Sequence, residues 1–249
     1  MLLRICGAVE EISKEAAGEA AGLLRRALDA TREVAIVAAT GASQIPLLNA
    51  LAHQPGIAWE RTVFFHLDEY VGLPESHPAS FRRYLRQRIE ERFKPRAFHY
   101  IRGDAPDPWS ECRRLNRVIA GHSIELCFAG IGENGHLAFN DPPADFEATD
   151  PYLVVSLDQT CRLQQVREGW FPRLEDVPTQ AISMSVQQIL KARHIICAAP
   201  DKRKAQAVRD CFGSGVSPLH PASILQTHSN CTVYLDSESA SLLNLSHPI

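Results

Sequence analysis

The sequence contains no apolar run that approaches the ~20 residues a membrane-spanning helix requires. Its N-terminal segment runs at once into an acidic, helix-like stretch and lacks the long apolar region of a signal peptide. With 26 Lys and Arg against 29 Asp and Glu, the chain also lacks the basic excess that is typical of nucleic-acid-binding proteins. We therefore expect a cytoplasmic protein that binds neither membranes nor nucleic acid.

The seven cysteines give no sign of a disulfide framework or of a structural zinc site. Their number is odd, none forms a C-x-x-C pair, and several lie in apolar runs where cysteine acts as a small hydrophobic residue. The most conspicuous histidine, His136, has no second histidine at ligand spacing. We therefore predict no bound metal and a reducing compartment.

Short apolar runs alternate with helix-like segments along the whole chain. The runs that indicate strands are 34–39, 63–67, 98–101, 124–129, 153–157, 194–199 and 231–235, and the helical segments are 11–30, 46–52, 79–93, 109–120 and 202–211. This alternation predicts a Rossmann-like α/β fold, with a mostly parallel sheet flanked by helices on both faces. No repeat or linker divides the 249 residues, so we predict a single domain over 1–249.

Polar motifs follow three of the predicted strands, where an open parallel sheet binds its ligands. The first motif is the loop Thr40-Gly41-Ala42-Ser43. A loop of small residues between a strand and a helix presents N–H groups and hydroxyls to an anion. A tight turn capped by a hydroxyl group is the structural alternative for this loop.

The second motif is the acidic pair Asp68-Glu69 at the end of the second predicted strand. Adjacent side chains at a strand end point in different directions, so at most one of the two can line a given pocket. A carboxyl group held there among apolar side chains has a raised pKa and suits a general base. A helix cap or a salt bridge is the alternative role.

The third motif is a loop with three glycines, Gly130, Gly132 and Gly135, that leads into His136. Glycines let the backbone turn sharply and approach a ligand closely, and an imidazole can move a proton in either direction near neutral pH. Asn134 and Asp141 flank the histidine and could orient its ring or hold its charged form. The alternative is a histidine that only satisfies a backbone carbonyl group.

Two longer stretches carry a resemblance to a known family. The segments FHLDEYVGLP (65–74) and GIGENGHLAFNDP (130–142) resemble the glucosamine-6-phosphate deaminase (isomerase) family, and the similarity continues through 177–178, 181–184, 204–205 and 221–225. The resemblance covers nearly the whole chain in the expected order. It implies that glucosamine 6-phosphate and water are converted to fructose 6-phosphate and ammonia, without a metal or an organic cofactor.

The resemblance also implies roles for individual residues. By its place in DEYVGL, Asp68 is similar to the base that carries a proton from C2 to C1 of the opened sugar. His136 resembles the histidine that opens the sugar ring, and Asn134 and Asp141 match the two positions that assist it. Asp141 stands where many members carry glutamate, so its carboxylate is one methylene shorter.

The phosphate group would be bound, by the same resemblance, by the loop Thr40–Ser43 and by Lys204. The family's phosphate-binding arginine is harder to place. The segment that contains both candidates is about two residues longer than usual before Phe171-Pro172, so the position of the family's arginine is shifted. Arg167 is our candidate and Arg162 is the alternative. The stretch after Asp141 lacks the basic residues that bind an activating N-acetylated sugar phosphate in regulated members, so we predict no such activation.

Other activities remain open at this point. The family of 6-phosphogluconolactonases has a similar fold and a similar glycine–histidine loop. Its members should carry an arginine after the acidic pair and an acidic residue directly before Gly-His, where this chain has Tyr70 and Asn134. A galactosamine-6-phosphate isomerase is compatible with every motif. A sugar-phosphate-sensing domain would need a DNA-binding segment, and residues 1–30 offer one amphipathic helix instead. Related folds work as monomers and as rings, so a homo-oligomer is one option.

Overall fold

The centre of the molecule is a seven-stranded sheet in a computed structural model, which describes residues 1–244. In chain order the strands are β1 Leu2–Cys6, β2 Val34–Ala38, β3 Thr62–His66, β4 Asp68–Tyr70, β5 Ala97–His99, β6 Ile124–Ala129, β7 Tyr152–Ser156, β8 Gln180–Met184, β9 His194–Ala198 and β10 Cys231–Asp236. The large sheet has the order β1-β10-β9-β6-β2-β3-β5, and each neighbouring pair is parallel.

Helices flank this sheet. They are α1 Val9–Ala30, α2 Gln44–Ala52, α3 Phe81–Leu85, α4 Glu91–Phe93, α5 Pro108–Ile119, α6 Gln159–Arg167, α7 Val186–Leu190 and α8 Ala205–Phe212. The long helix α1 buries a face of four alanines together with Leu24, and these small side chains let it lie close to the sheet and to α2. No helix within residues 1–244 is long and apolar enough to cross a membrane.

The order in which successive strands are added to the sheet reverses between β2 and β6. From β2 the chain moves outward through β3 to β5, then returns to the other side of β2 with β6 and continues through β9 and β10. Connections that leave neighbouring strands in opposite directions open a crevice at the carboxyl ends of those strands. The fold therefore predicts a ligand site between the loops that follow β2 and β6.

A second sheet covers this end of the molecule. Strands β4, β8 and β7 form it in that order, and both pairs are antiparallel. It is joined to the end of β3 by the Tyr152 hydroxyl group, which donates to the carbonyl of His66 at 2.8 Å, and by the N–H of Met184, which donates to the carbonyl of Leu67 at 2.9 Å. A small aromatic core of Tyr70, Phe81, Phe139 and Phe171 lies beneath it.

The predicted α/β fold with a mostly parallel sheet is confirmed, but the assignment of one strand to that sheet was wrong. The predicted strand 153–157 exists as β7, yet it pairs antiparallel with β8 in the second sheet. Apolar content cannot distinguish the two sheets, and β7 is only half-buried. β1, β4 and β8 were not predicted, because each is short or interrupted by polar residues.

The predicted helices are present with two changes. Segment 79–93 is interrupted by a π-helical turn, Arg86–Glu90, between α3 and α4. Segment 202–211 begins with a 3₁₀ turn, Lys202–Lys204, before α8. The single domain over 1–249 stays a prediction, and its residues 245–249 lie outside the described residues.

Candidate active site

Four neighbouring strands of the large sheet bring the predicted site residues together. Strands β3, β2, β6 and β9 are adjacent, and after them come Asp68, the loop Thr40–Ser43, His136 and Lys204, respectively. All of these residues line one cavity of about 240 Å³. Residues that lie up to 164 positions apart in the chain therefore meet at the edge where the chain reverses its direction through the sheet.

The loop after β2 is built to present its backbone. Gly41 has a φ of +99°, a conformation that a side chain would strain, and the Tyr84 hydroxyl group donates to its carbonyl oxygen at 3.1 Å. Thr40, Gly41, Ala42 and Ser43 all line the cavity, and helix α2 begins directly after them at Gln44. N–H groups at the start of a helix attract anions. The geometry therefore suits a phosphate group.

Gln44 fixes this loop against the neighbouring strands. Its buried side chain donates to the carbonyls of Ala129 and Ala198, at 3.2 and 3.4 Å, which end β6 and β9. A Cβ atom on Gly130 would lie 3.2 Å from the Gln44 amide nitrogen, so a glycine there lets the two loops approach. One glutamine thus holds three strand ends in register around the cavity.

The acidic pair divides into two roles, as the strand geometry predicted. Asp68 lines the cavity, whereas Glu69 points away from it and accepts hydrogen bonds from the Ser80 hydroxyl group and from the N–H groups of Tyr70, Phe81 and Arg82, at 2.8 to 3.2 Å. Glu69 therefore holds the start of α3 and fixes the strand that carries Asp68. Burial raises the pKa of Glu69 to about 7, although these hydrogen bonds oppose the rise.

Asp68 is in the opposite situation. Its side chain is buried, and among the described residues its Oδ1 atom has no hydrogen-bond partner. Burial, helped by the nearby charge of Glu69, raises the pKa of Asp68 to about 8. A carboxyl group that titrates near neutral pH at a cavity wall can both take and return a proton.

His136 is held by the two residues that were predicted to flank it. Its Nδ1 atom lies 3.1 Å from Oδ1 of Asp141, so the shorter carboxylate reaches the ring directly. Asn134 accepts a hydrogen bond from the N–H of His136 at 3.1 Å and donates to Asp141 at 3.0 Å. With Nδ1 occupied by the carboxylate, Nε2 is left to exchange a proton with a ligand.

Asp158 completes this network, and sequence reasoning missed it. The Asn134 amide donates to Asp158 at 2.9 Å, and the N–H of Asp158 donates to Asp141 at 2.9 Å. Asp158 also caps helix α6 through the N–H of Cys161. Its only signal in the sequence is its place before a helix, which does not indicate a contact with residues 17 to 24 positions earlier.

The hydrogen bonds to Asp141 keep it ionised. Burial alone would raise the pKa of Asp141, but the hydrogen bonds from His136, Asn134 and Asp158 lower it below its ordinary value of 3.8. A fixed carboxylate beside Nδ1 stabilises a protonated imidazole. The arrangement therefore allows His136 to carry a proton inside a largely buried site.

Gly132 provides the room for the ring. A Cβ atom at this position would lie about 2.3 Å from atoms of the His136 imidazole, so any side chain would displace the ring. The carbonyl of His136 in turn accepts a hydrogen bond from the N–H of Gly132 at 3.0 Å. The glycine is thus required for the position of the histidine.

Lys204 lies in the cavity wall, but the predicted Arg167 does not. Lys204 is 5% exposed, and among the described residues its ammonium group has no hydrogen-bond or ion-pair partner. Arg167 pairs with Glu133 at 2.6 Å and is half exposed, and Arg162 donates to the carbonyls of Leu174 and Val177. The structure brings neither arginine into the cavity lining.

The ring of His136 also has a thiol group near it. His136, Asp141 and Cys161 each offer one atom that could bind a metal, and these three atoms lie within 4.8 Å of one another. This group could not be predicted from the sequence, because Cys161 belongs to helix α6, 20 residues after Asp141. The group offers three ligand atoms, whereas a typical structural zinc site has four. Nδ1 of His136 and Oδ1 of Asp141 also already share a hydrogen bond.

Most of the chain is similar to proteins of one known family. The model of a family described as glucosamine-6-phosphate isomerases and 6-phosphogluconolactonases matches residues 8–234. Glucosamine-6-phosphate deaminase of Pseudarthrobacter chlorophenolicus is 37% identical over 97% of this chain and 92% of its own length. The corresponding protein of an Exiguobacterium species is 34% identical over 88% of this chain and 84% of its own length.

Two solved structures show how far the likeness extends. A monomeric glucosamine-6-phosphate deaminase superposes with a TM-score of 0.88 at 30% identity, over 97% of this chain and the whole of its own. A 6-phosphogluconolactonase from Thermotoga maritima superposes with a TM-score of 0.77 at 17% identity, over 94% of this chain and 98% of its own. At that identity, the second comparison speaks for the fold alone.

Proposed function

This chain belongs to the family of glucosamine-6-phosphate isomerases and 6-phosphogluconolactonases, and on that premise we propose that it is a glucosamine-6-phosphate deaminase. It converts glucosamine 6-phosphate and water to fructose 6-phosphate and ammonia. The observation that carries this proposal is the meeting of Asp68, His136 and Lys204 in one cavity. A base, a proton shuttle and a cation for phosphate are what the reaction requires.

The reaction follows from this geometry in three steps. His136, with Nδ1 held by Asp141, transfers a proton through Nε2 from the anomeric hydroxyl group to the ring oxygen and opens the sugar. Asp68 removes the proton at C2 and returns it to C1, while a proton passes from the C2 amino group to the C1 oxygen, which leaves an imine at C2. Water then hydrolyses this imine to the ketone and ammonia. One carboxyl group that serves two neighbouring carbons gains from being fixed in place.

Lactone hydrolysis is the rival activity within the family, and two residues disfavour it. Tyr70 occupies the place of the arginine expected after the acidic pair, and its side chain is fully buried against Phe81, Phe139 and Phe171. Asn134 occupies the place of the acidic residue and donates to two carboxylates. Neither supplies the charge that a lactonase would place there.

A homo-oligomer stays a prediction, to be measured by size-exclusion chromatography with light scattering. A cytoplasmic location fits the seven free, buried cysteines, since reducing compartments keep thiols unpaired. The substrate partner is a phosphorylated amino sugar.

The direct test is to measure ammonia release from glucosamine 6-phosphate, with galactosamine 6-phosphate and 6-phosphogluconolactone assayed in parallel. We expect ammonia from the first substrate and its loss in an Asp68→Asn variant. Release from the galacto epimer alone would keep the mechanism and change the substrate. Lactone hydrolysis without ammonia would refute the proposal, as would binding of sugar phosphates without turnover of any of the three.

A further inference from the structure

The cavity has to neutralise a phosphate group, and the inference below rests on that part of the proposed function. A phosphate monoester carries a charge of about −1.5 to −2 at neutral pH. Lys204 supplies one positive charge. Among residues 1–244, the only other lysine or arginine in the cavity lining is Arg203, the residue directly before it.

Arg203 is held at the edge of the cavity by carboxylates. Its guanidinium donates twice to Oδ2 of Asp201, from Nη2 at 2.7 Å and from Nε at 3.1 Å. A second carboxylate, that of Glu133, lies 3.8 Å from Nη1. The side chain remains 44% exposed, so it can turn towards a ligand without unpacking the core.

Asp201 has an unusual conformation for the residue that holds Arg203. Its φ is +91°, a value that residues other than glycine rarely adopt, and Asp201 is one of the residues that line the same cavity. The backbone is fixed there by the N–H of Asp201, which donates to Asp236 at 3.0 Å. Backbone strain of this kind concentrates at sites that clamp ligands. A carboxylate in a phosphate site is also repelled by the ligand.

We propose that Arg203 is the second cationic ligand of the substrate phosphate and that Asp201 restrains it while the cavity is empty. Phosphate binding exchanges the Asp201 carboxylate for phosphate oxygens as the partner of the guanidinium. Arginine suits this exchange, because its planar fork binds a phosphate through two parallel hydrogen bonds. Lys204 beside it adds a point charge.

The proposal predicts opposite effects for two substitutions of neighbouring residues. Arg203→Gln removes the guanidinium and should weaken binding of fructose 6-phosphate and of inorganic phosphate about tenfold, the loss of one charge-assisted interaction. Asp201→Asn removes the competing charge and should tighten both about threefold. Asparagine has the same size, and its amide oxygen can still accept the hydrogen bond that Oδ1 of Asp201 accepts from the N–H of Arg203 at 2.9 Å, so the second variant keeps this local contact. Arg203→Lys should recover part of the affinity.

The measurement is isothermal titration calorimetry with the two ligands, on protein whose thermal unfolding has been recorded. Lys202→Gln is the matched control: it removes the same charge one residue away, from an exposed side chain outside the cavity lining. We expect its affinities to equal those of the wild type. Arg167→Gln belongs in the same series, because Arg167 is the position that the sequence suggested.

Several outcomes would overturn the proposal. It fails if Lys202→Gln weakens binding as much as Arg203→Gln, if Arg167→Gln alone weakens binding, or if Asp201→Asn weakens binding while its unfolding temperature is unchanged. The Asp201→Asn arm keeps the test decisive if Arg203→Gln folds poorly. Because binding is measured rather than turnover, a wild type that binds as expected but releases no ammonia would refute the deaminase and leave this inference standing.

Discussion

Replacing Asp68 with asparagine tests the raised pKa on which its role as a base depends. Burial, with a smaller contribution from Glu69, raises the pKa of Asp68 from its ordinary 3.8 to about 8. The unfolded chain loses this proton near the ordinary value, whereas the folded protein keeps it until about pH 8. The folded state therefore binds more protons in between, and the free energy of unfolding decreases as the pH rises through this window.

The size of the effect follows from that window. One group whose protonation differs between the folded and the unfolded chain lowers the free energy of unfolding by ~1.4 kcal/mol for each pH unit. From about pH 5 to about pH 8, the free energy of unfolding therefore decreases by at most roughly 4 kcal/mol because of Asp68. The cavity admits solvent, so we expect about 2 kcal/mol. Asparagine has the same shape and no charge to titrate, and Glu69 titrates in both proteins. The difference in free energy of unfolding between Asp68→Asn and the wild type should therefore increase by about 2 kcal/mol from about pH 5 to about pH 8.

The assay is urea unfolding of wild type and Asp68→Asn at both pH values, with the exposed Asp150→Asn as control. We expect the difference between wild type and the Asp68 variant to increase at the higher pH, and the difference for the control to stay constant. An equal difference at both values would mean that Asp68 ionises in the fold as it does in water. The argument for a base poised near neutral pH would then be refuted.

Activity provides a second measurement on the same variant. The base must be ionised to accept the C2 proton, so kcat/KM should rise with pH until about pH 8, where Asp68 titrates. The loss of one general base corresponds to a decrease of about 10²- to 10⁴-fold. A pH profile that is flat from about pH 6 to pH 9 would assign the proton transfer to another group.

Three further substitutions test the groups around the cavity. Gly132→Ala should lower kcat at least tenfold, because the added Cβ atom displaces the His136 ring; unchanged kinetics would show that the ring position does not matter. Asp141→Asn removes the charge beside Nδ1 of His136 and should slow ring opening about tenfold or more, measured as a slower reaction of the closed sugar. Equal rates for the variant and the wild type would contradict the role of Asp141. Glu69→Gln replaces one of the two acceptor oxygens by an NH2 group, so one N–H donor at the start of α3, that of Phe81 or of Arg82, loses its acceptor, which should cost about 2 kcal/mol in urea unfolding. A neutral result would show that Glu69 does not hold that helix.

The residues that could be predicted from the sequence are those that follow buried strands. Asp68 and His136 were found because a polar motif after an apolar run marks the carboxyl edge of a parallel sheet, and such edges converge whatever the strand order is. Asp158 could not be found in this way, and Arg203, although it follows β9, could not be distinguished from its neighbour Lys202. Asp158 acts through a contact between α6 and the glycine loop, and Arg203 gains its place only from the cavity wall.

The placement of β7 shows the same limit for the fold. An apolar run predicts a strand, but the partner of a strand is set by the path of the chain, which local sequence does not contain. Tyr152 illustrates this, because its hydroxyl group reaches the end of β3 across 86 residues of sequence. Contacts of this range decide where the second sheet lies, and with it how deeply Asp68 is buried.

The pKa values of two carboxyl groups in this site, Asp141 and Asp68, are shifted in opposite directions by their surroundings, and this difference indicates their roles. Asp141 accepts hydrogen bonds from His136, Asn134 and the N–H of Asp158, so its pKa is lowered and it remains a fixed negative charge. Asp68 is buried more deeply, beside the charge of Glu69, and one of its oxygens has no donor among the described residues; burial therefore raises its pKa to about 8. A permanently ionised group can stabilise a protonated imidazole but is a weak base, whereas a group that titrates near neutral pH can take a proton and give it back. The same type of side chain therefore serves two purposes in one site, and the depth of burial together with the hydrogen-bond donors around each carboxyl group determines which.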